Sequence, residues 1–181
     1  MSKLSNKKVS AKAALALTAA SIVLLLLVNG RWLGNARLLE ISGGAGILDL
    51  EMGYSPGRAY GMLTAYGSAG RAFYLRRIIP LDMLFGVVYF LCFTCLTRLF
   101  LQKKAPRPSH RAFYALPALT LLFDYAENLL AAVMLWKYSQ QLTALCRIAS
   151  CMTVVKYVFT VGSIAAILGL WLAGILARRK H

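Results

Sequence analysis

The chain predicts an all-α membrane protein with four transmembrane helices in an antiparallel bundle. Three observations carry that expectation. Apolar residues make up 59% of the 181 positions and the mean hydropathy is +0.63, beyond the range of ordinary soluble domains. Four apolar runs, at 13–29, 78–101, 112–136 and 149–177, are each long enough to cross a bilayer, which takes about 20 helical residues. The basic residues gather at alternate ends of those runs. Lys3, Lys7, Lys8 and Lys12 precede the first, Lys103, Lys104, Arg107 and Arg111 separate the second from the third, and Arg178, Arg179 and Lys180 follow the fourth. That alternation is the positive-inside pattern for a bacterial cytoplasmic (inner) membrane protein with both termini cytoplasmic. It also accounts for much of the net charge of +15 through topology and anionic lipid head groups, so nucleic acid is not an expected partner and membrane lipids are.

Taken in order, residues 1–12 form a basic cytoplasmic arm and residues 13–177 one membrane domain. The first run could be a signal peptide, with Val28-Asn29-Gly30 as a loose cleavage site. Its length exceeds the usual apolar region of about 7–15 residues, and Arg31 follows at once, which favours an uncleaved span. Residues 30–77 form the outer loop. Its start, through Gly43-Gly44-Ala45-Gly46, shows no period, and that glycine run is too compact for a dinucleotide fingerprint. Ser55-Pro56 reads as an N-cap and first helical residue, Ala59, Tyr60, Leu63 and Tyr66 recur at helical spacing, and Gly67 supplies a stop. A second short helix from Ser68 carries Arg71, Tyr74, Arg76 and Arg77 toward the second span. These helices either lie on the outer membrane surface or pack on the bundle as a lid.

In the second span Pro80 falls in the first turn, and Asp82, Gly86, Tyr89 and Phe93 share a face. A basic turn at 102–111, with Pro106 and Pro108, joins it to the third span. That span holds Pro117, an expected kink, and a polar stripe of Thr120, Asp124, Glu127, Asn128 and Ala131, with Trp136 and Tyr138 at its outer edge. Residues 139–148 read as a polar outer loop. The fourth span carries Lys156, Thr160 and Ser163 on one face. Gly162, Ala166, Gly169 and Ala173 form a small-residue face suited to helix packing or a homo-oligomer seam. Residues 178–181 are a basic tail.

Gly53-Tyr54-Ser55-Pro56, Gly70-Arg71, Tyr74, Asp82, Phe85 and Asp124-x-x-Glu127-Asn128 together resemble a family of small four-helix bacterial membrane proteins with no assigned activity. The resemblance covers residues about 50–160. It implies the spans and no chemistry.

Ionisable groups at membrane depth are expensive and mark a site. At 1.5 Å per residue, Asp82, Asp124, Glu127 and Lys156 all fall about 6–18 Å below the outer boundary. The expected site is therefore a polar cluster of Asp82, Asp124, Glu127, Asn128 and Lys156, with Tyr89 and Tyr157 as hydrogen-bonding neighbours. Tyr54, Arg71, Tyr74, Arg76 and Arg77 would form its rim. Three acids facing one ammonium leave excess negative charge. Either an acid keeps its proton at neutral pH, or a further cation, such as Arg76, Arg77 or a bound ion, shares the site.

Other motifs carry less. Cys92-Phe93-Thr94-Cys95 and the pair Cys146/Cys151 suggest a thiol oxidoreductase, but their depths differ by of order 20 Å, beyond disulfide reach. A local Cys146–Cys151 bridge requires that stretch not to be helical. His110 and His181 lie on the cytoplasmic side, away from the acids, so neither an imidazole metal site nor a Ser–His–Asp triad assembles. No cofactor is expected. Three functions fit the cluster: a structural or small-ligand-binding role, proton-coupled transport of a small polar solute, and a lipid-modifying membrane enzyme.

Overall fold

The computed structural model describes residues 9–102 and 110–178, and among them it is all-helical, with no strand. The basic clusters around Lys3, Lys7 and Lys8, around Lys103, Lys104 and Arg107 with Pro106 and Pro108, and around Arg179, Lys180 and His181 lie outside the described residues. The described residues form seven α-helices in order: α1 (Ala11–Asn29), α2 (Asn35–Ser42), α3 (Pro56–Ala65), α4 (Gly67–Phe73), α5 (Ile79–Leu101), α6 (His110–Trp136) and α7 (Thr143–Arg178). A 3₁₀ turn at Leu48–Leu50 follows α2, and a π-helical turn at Tyr74–Ile78 fuses α4 to α5. Among the described residues four helical segments are long and apolar enough to cross a membrane: Ala11–Asn29, Gly67–Leu101, His110–Trp136 and Thr143–Leu176. This is the architecture of a multi-pass membrane protein.

The helix ends follow from local chemistry. Ser10 caps α1, its hydroxyl accepting from the Ala13 amide at 3.1 Å. Ser55 caps α3 in the same way, accepting from the Arg58 amide at 3.2 Å, with Pro56 as the first helical residue. Gly67, at φ +60°, turns the chain out of α3 as a left-handed C-terminal residue, and α4 begins there. Pro117 sits inside α6, which continues unbroken around it.

Two boundaries differ from expectation. The stretch without period holds α2, a helix of eight residues, too short for a periodic signal and closed by Gly43 at φ +67°. The expected loop at 139–148 is also half helical, because α7 starts at Thr143. Cys146 is consequently buried in α7 while Cys151 is exposed on another side of it, and both are free thiols. The conditional bridge between them does not form.

α6 packs along α7 and α5, α7 also along α5, and α1 chiefly along α5. At one end of α1, the Val9 amide donates to the Gln102 side chain at 3.0 Å and its carbonyl accepts from it at 3.3 Å, which ties α1 to the end of α5. The segment 35–66 packs on the bundle at the other end. Leu38, Leu48, Tyr60, Leu63 and Tyr66 share a continuous apolar core with Ile78, Met134, Leu135, Cys146 and Ala149. The Tyr60 hydroxyl accepts from the Leu142 amide at 2.7 Å, and the Thr64 and Tyr138 hydroxyls meet at 2.9 Å. The segment is thus seated by side chains from three helices. Conversely, the large apolar residues of α1 and α7 are mostly exposed, as a lipid-facing surface requires.

Leu63 is fully buried in that shared core. Replacing it with Ala should cost about 2–5 kcal/mol in the opening of this segment. Hydrogen exchange should then speed up across 56–66 while the amides of α5 and α6 stay protected.

Candidate functional site

Lys156 stands at the centre of the bundle, 6% exposed. Its ammonium forms ion pairs with three carboxylates: Asp49, Glu127 at 2.6 Å and Asp124 at 3.3 Å. Asp49 accepts a hydrogen bond from the ammonium, and Asp124 and Glu127 stand within ion-pair range of it. Glu127 also accepts from the Thr153 hydroxyl at 2.6 Å, one turn before Lys156 on α7. Asn128 extends the network. Its side-chain amide donates to Asp82 on α5 at 2.8 Å and to the Asp124 carbonyl at 3.1 Å.

The polar stripe of α6 faces this cluster because Thr120, Asp124, Glu127, Asn128 and Ala131 repeat at helical spacing, and all five are buried. Gly86 of α5 makes room for it. A Cβ there would lie 2.7 Å from Asp124 Oδ2 and 3.2 Å from Leu121, so any larger residue would force that carboxylate to move.

Of the expected cluster, Asp124, Glu127 and Lys156 meet directly. Asp82 bonds Asn128 and has no ion pair with Lys156 within 4 Å, and Tyr89 and Tyr157 line the adjoining cavity. Among the rim residues, Tyr74 is buried and accepts from the Leu48 amide at 3.2 Å. Arg71 donates to the Leu63 carbonyl at 2.9 Å and lies over the Tyr138 ring at 3.8 Å. Arg76 and Arg77 are exposed and do not line the cavity, so they do not supply the further cation suggested for the site. Tyr54 is buried, and burial with the nearby Glu127 carboxylate holds its hydroxyl well above the usual phenol range. It therefore stays neutral. On the small-residue face, Gly162 approaches Leu116 of α6 while Gly169 and Ala173 are exposed.

Sequence reasoning missed Asp49 and Thr153. Asp49 lies on the 3₁₀ turn, which is anchored twice: the Leu48 amide donates to Tyr74, and the Tyr157 hydroxyl donates to the Asp49 carbonyl at 3.1 Å. Leu48 is buried in the apolar core, and the next side chain is turned to Lys156. A signal was present, since Asp49 is one of only six acids and is flanked by leucines. Thr153 continues the Lys156–Thr160–Ser163 stripe one step back along α7.

Three of those six acids meet one ammonium, Asp49, Asp124 and Glu127, and a fourth, Asp82, joins the network through Asn128. Among the described residues no three His, Cys, Asp or Glu side chains converge as a metal site, because Lys156 occupies the centre. A cavity of about 350 Å³ adjoins the cluster. Asp49, Asp82, Asp124, Lys156, Tyr89 and Tyr157 line it together with Leu25, Val28, Phe85, Phe93 and Ile164, and the surface it exposes is almost wholly apolar. The Tyr89 hydroxyl and Asp124 Oδ2 are buried without a hydrogen-bond partner among the described residues.

Comparison with family models, curated proteins and solved structures returns no match.

Lys156→Met should destabilise the protein by about 3–5 kcal/mol at pH 7.5, because three carboxylates lose the cation they share. The loss should shrink at pH 5, where protons can replace the ammonium among Asp49, Asp82, Asp124 and Glu127. Melting curves in detergent at both values test this, and an equal loss at both would assign the effect to packing. Gly86→Ala, read in the same assay, should cost about 1–3 kcal/mol by crowding Asp124.

Proposed function

We propose that the chain is a multi-pass protein of the bacterial cytoplasmic membrane that binds a small amphipathic ligand. In this reading its spans run antiparallel with both termini cytoplasmic, and residues 30–77 cover the outer end. The positive-inside pattern of the basic residues supports the orientation.

The observation that carries ligand binding is the cavity of about 350 Å³, whose surface is almost wholly apolar and whose lining residues include Asp82, Asp124, Lys156 and Tyr89. Pockets for small molecules combine that apolar lining with a few convergent polar groups. A network serving only to fix helix register would be expected to close on itself, with each polar group satisfied. Here the Tyr89 hydroxyl, Asp124 Oδ2 and Glu127 Oε2 are buried with no hydrogen-bond partner among the described residues, and Tyr89 and Asp124 are among the residues that line the cavity.

Phe93→Trp, which adds bulk to the cavity wall, tests the proposal. Wild-type protein should release a small amphiphile on denaturing mass spectrometry, or gain at least about 2 kcal/mol of stability at 100-fold excess over Kd of one that binds. Phe93→Trp should lose either effect while keeping its ligand-free melting curve. Identical behaviour of the two proteins across an amphiphile panel would remove the cavity as a binding site.

A further inference from the structure

The cavity beside the charged cluster is a slot with hydrocarbon walls. Leu25 of α1 stands on one side and Ile164 of α7 on the other, with Phe85, Tyr89 and Phe93 of α5 as the floor between them and Leu50 at one end. Asp82, Asp124 and Lys156 are among the lining residues, yet the surface exposed inside is almost wholly apolar. A water molecule settles in a cavity only where it finds about two to four polar partners, which such a surface does not offer. Left empty, a void of about 350 Å³ forfeits the dispersion contacts of every side chain around it.

The helices are held from closing on that void. α1 is pinned to α5 where the Thr18 hydroxyl and Cys92 Sγ lie 3.5 Å apart, and again by the Val9–Gln102 pair. α7 is fixed at the other end by the contacts of Lys156 and Tyr157 with Asp49. On the floor the rings of Phe85, Tyr89 and Phe93 follow one another at 5.4 and 5.7 Å, which makes a stiff wall. The slot runs about 16 Å along α5, from Asp82 to Phe93, and about 12 Å along α7, from Lys156 to Ile164, at 1.5 Å per residue. Its mouth opens on the flank of the bundle, where Leu25 and Ile164 line it and are still 47% and 44% exposed. An apolar slot of that length, open along its side to the lipid phase, matches an alkyl chain in shape and polarity. A chain that enters exchanges one apolar medium for another, so what it gains is packing contact rather than the hydrophobic effect. Nothing in that gain depends on a head group.

We propose that the slot holds one acyl chain of a membrane phospholipid, admitted sideways between α1 and α7. The proposal rests on the cavity-binding reading above and adds the class of guest, its route and its mode of recognition. The chain runs along the aromatic floor past Tyr89 toward Phe93, and the head group stays in the leaflet on the side of residues 30–77. Recognition is by chain shape and is indifferent to head-group charge.

Photolabelling tests this. The full chain in phosphatidylcholine nanodiscs, doped with phosphatidylcholine bearing a mid-chain diazirine, is irradiated and its labelled residues are mapped by peptide mass spectrometry. Lipid that merely surrounds the bundle reaches exposed side chains such as Val158 and Trp171, whereas Tyr89 is buried on the slot floor. All three should carry label. Leu25→Trp combined with Ile164→Trp narrows the mouth from both sides and should cut the Tyr89 label at least about fivefold while Val158 keeps its own. A melting curve like that of the wild type confirms that the double variant is folded. The same probe chain on phosphatidylglycerol or phosphatidylethanolamine should label Tyr89 within about twofold of phosphatidylcholine, since packing carries the contact. Label confined to Val158 and Trp171, a Tyr89 label that survives the double variant, or a head-group difference beyond that range would each overturn the inference. Labelling of Tyr89 by a diazirine fatty acid and not by the phospholipid probe would overturn the phospholipid source. The cavity reading is judged apart from this by Phe93→Trp: amphiphile binding that this variant loses keeps the cavity even where Tyr89 takes no label, and absence of both ends both.

Discussion

The ammonium of Lys156, held among carboxylates from α6 and from the 3₁₀ turn, is the contact on which the rest of the bundle depends. Each ion alone would be prohibitively expensive at this depth. Held together, they compensate one another, and the geometry that allows this fixes the rotation of α6 against α7. Thr153 and Asn128 carry the constraint outward, the first to Glu127 and the second to Asp82 on α5. The remaining two acids serve elsewhere. Glu40 is held below the usual carboxylate range by its hydrogen bonds to Arg37 and Arg31, and Glu51 pairs with Arg58 at 2.5 Å. Acid is scarce in this chain, and most of it is concentrated at one point.

The segment between α1 and α5 has a structural task that its irregular sequence conceals. It buries aromatic and aliphatic side chains against Met134, Leu135 and Ala149, and this platform carries the tripeptide Leu48-Asp49-Leu50 into position. Leu48 anchors in the core, Tyr74 and Tyr157 hold its backbone, and Asp49 is left facing Lys156. Packing of the segment and completion of the charged cluster are therefore coupled. Loosening one should loosen the other.

The bundle has one closed side and one open side. Between α6 and α7 the contact is continuous, with Phe123 and Phe159 stacked at 5.7 Å, and between α5 and α6 Gly86 lets Asp124 approach the backbone. Between α1 and α7 the cavity intervenes. The closed side holds the charges in register. The open side is lined by apolar residues of α1, α5 and α7, with Asp82, Asp124 and Lys156 among its lining residues.

Much of this was legible in the residues. The apolar runs, the Ser55-Pro56 helix start and the α6 stripe follow from hydrophobic length, capping chemistry and the 3.6-residue period, all local properties of the chain. Depth counting also brought Asp124, Glu127 and Lys156 to one level, because helical rise is constant. Asp49 was beyond such reasoning, since its position depends on a turn whose place is set by contacts with Tyr74 and Tyr157, far away in sequence. The short helix α2, the early start of α7 and the pairing of Asp82 with Asn128 were likewise decided by packing. Local sequence determines which groups can be buried together at a given height. Only the tertiary structure decides which donor each acceptor receives, and so where charge is left over.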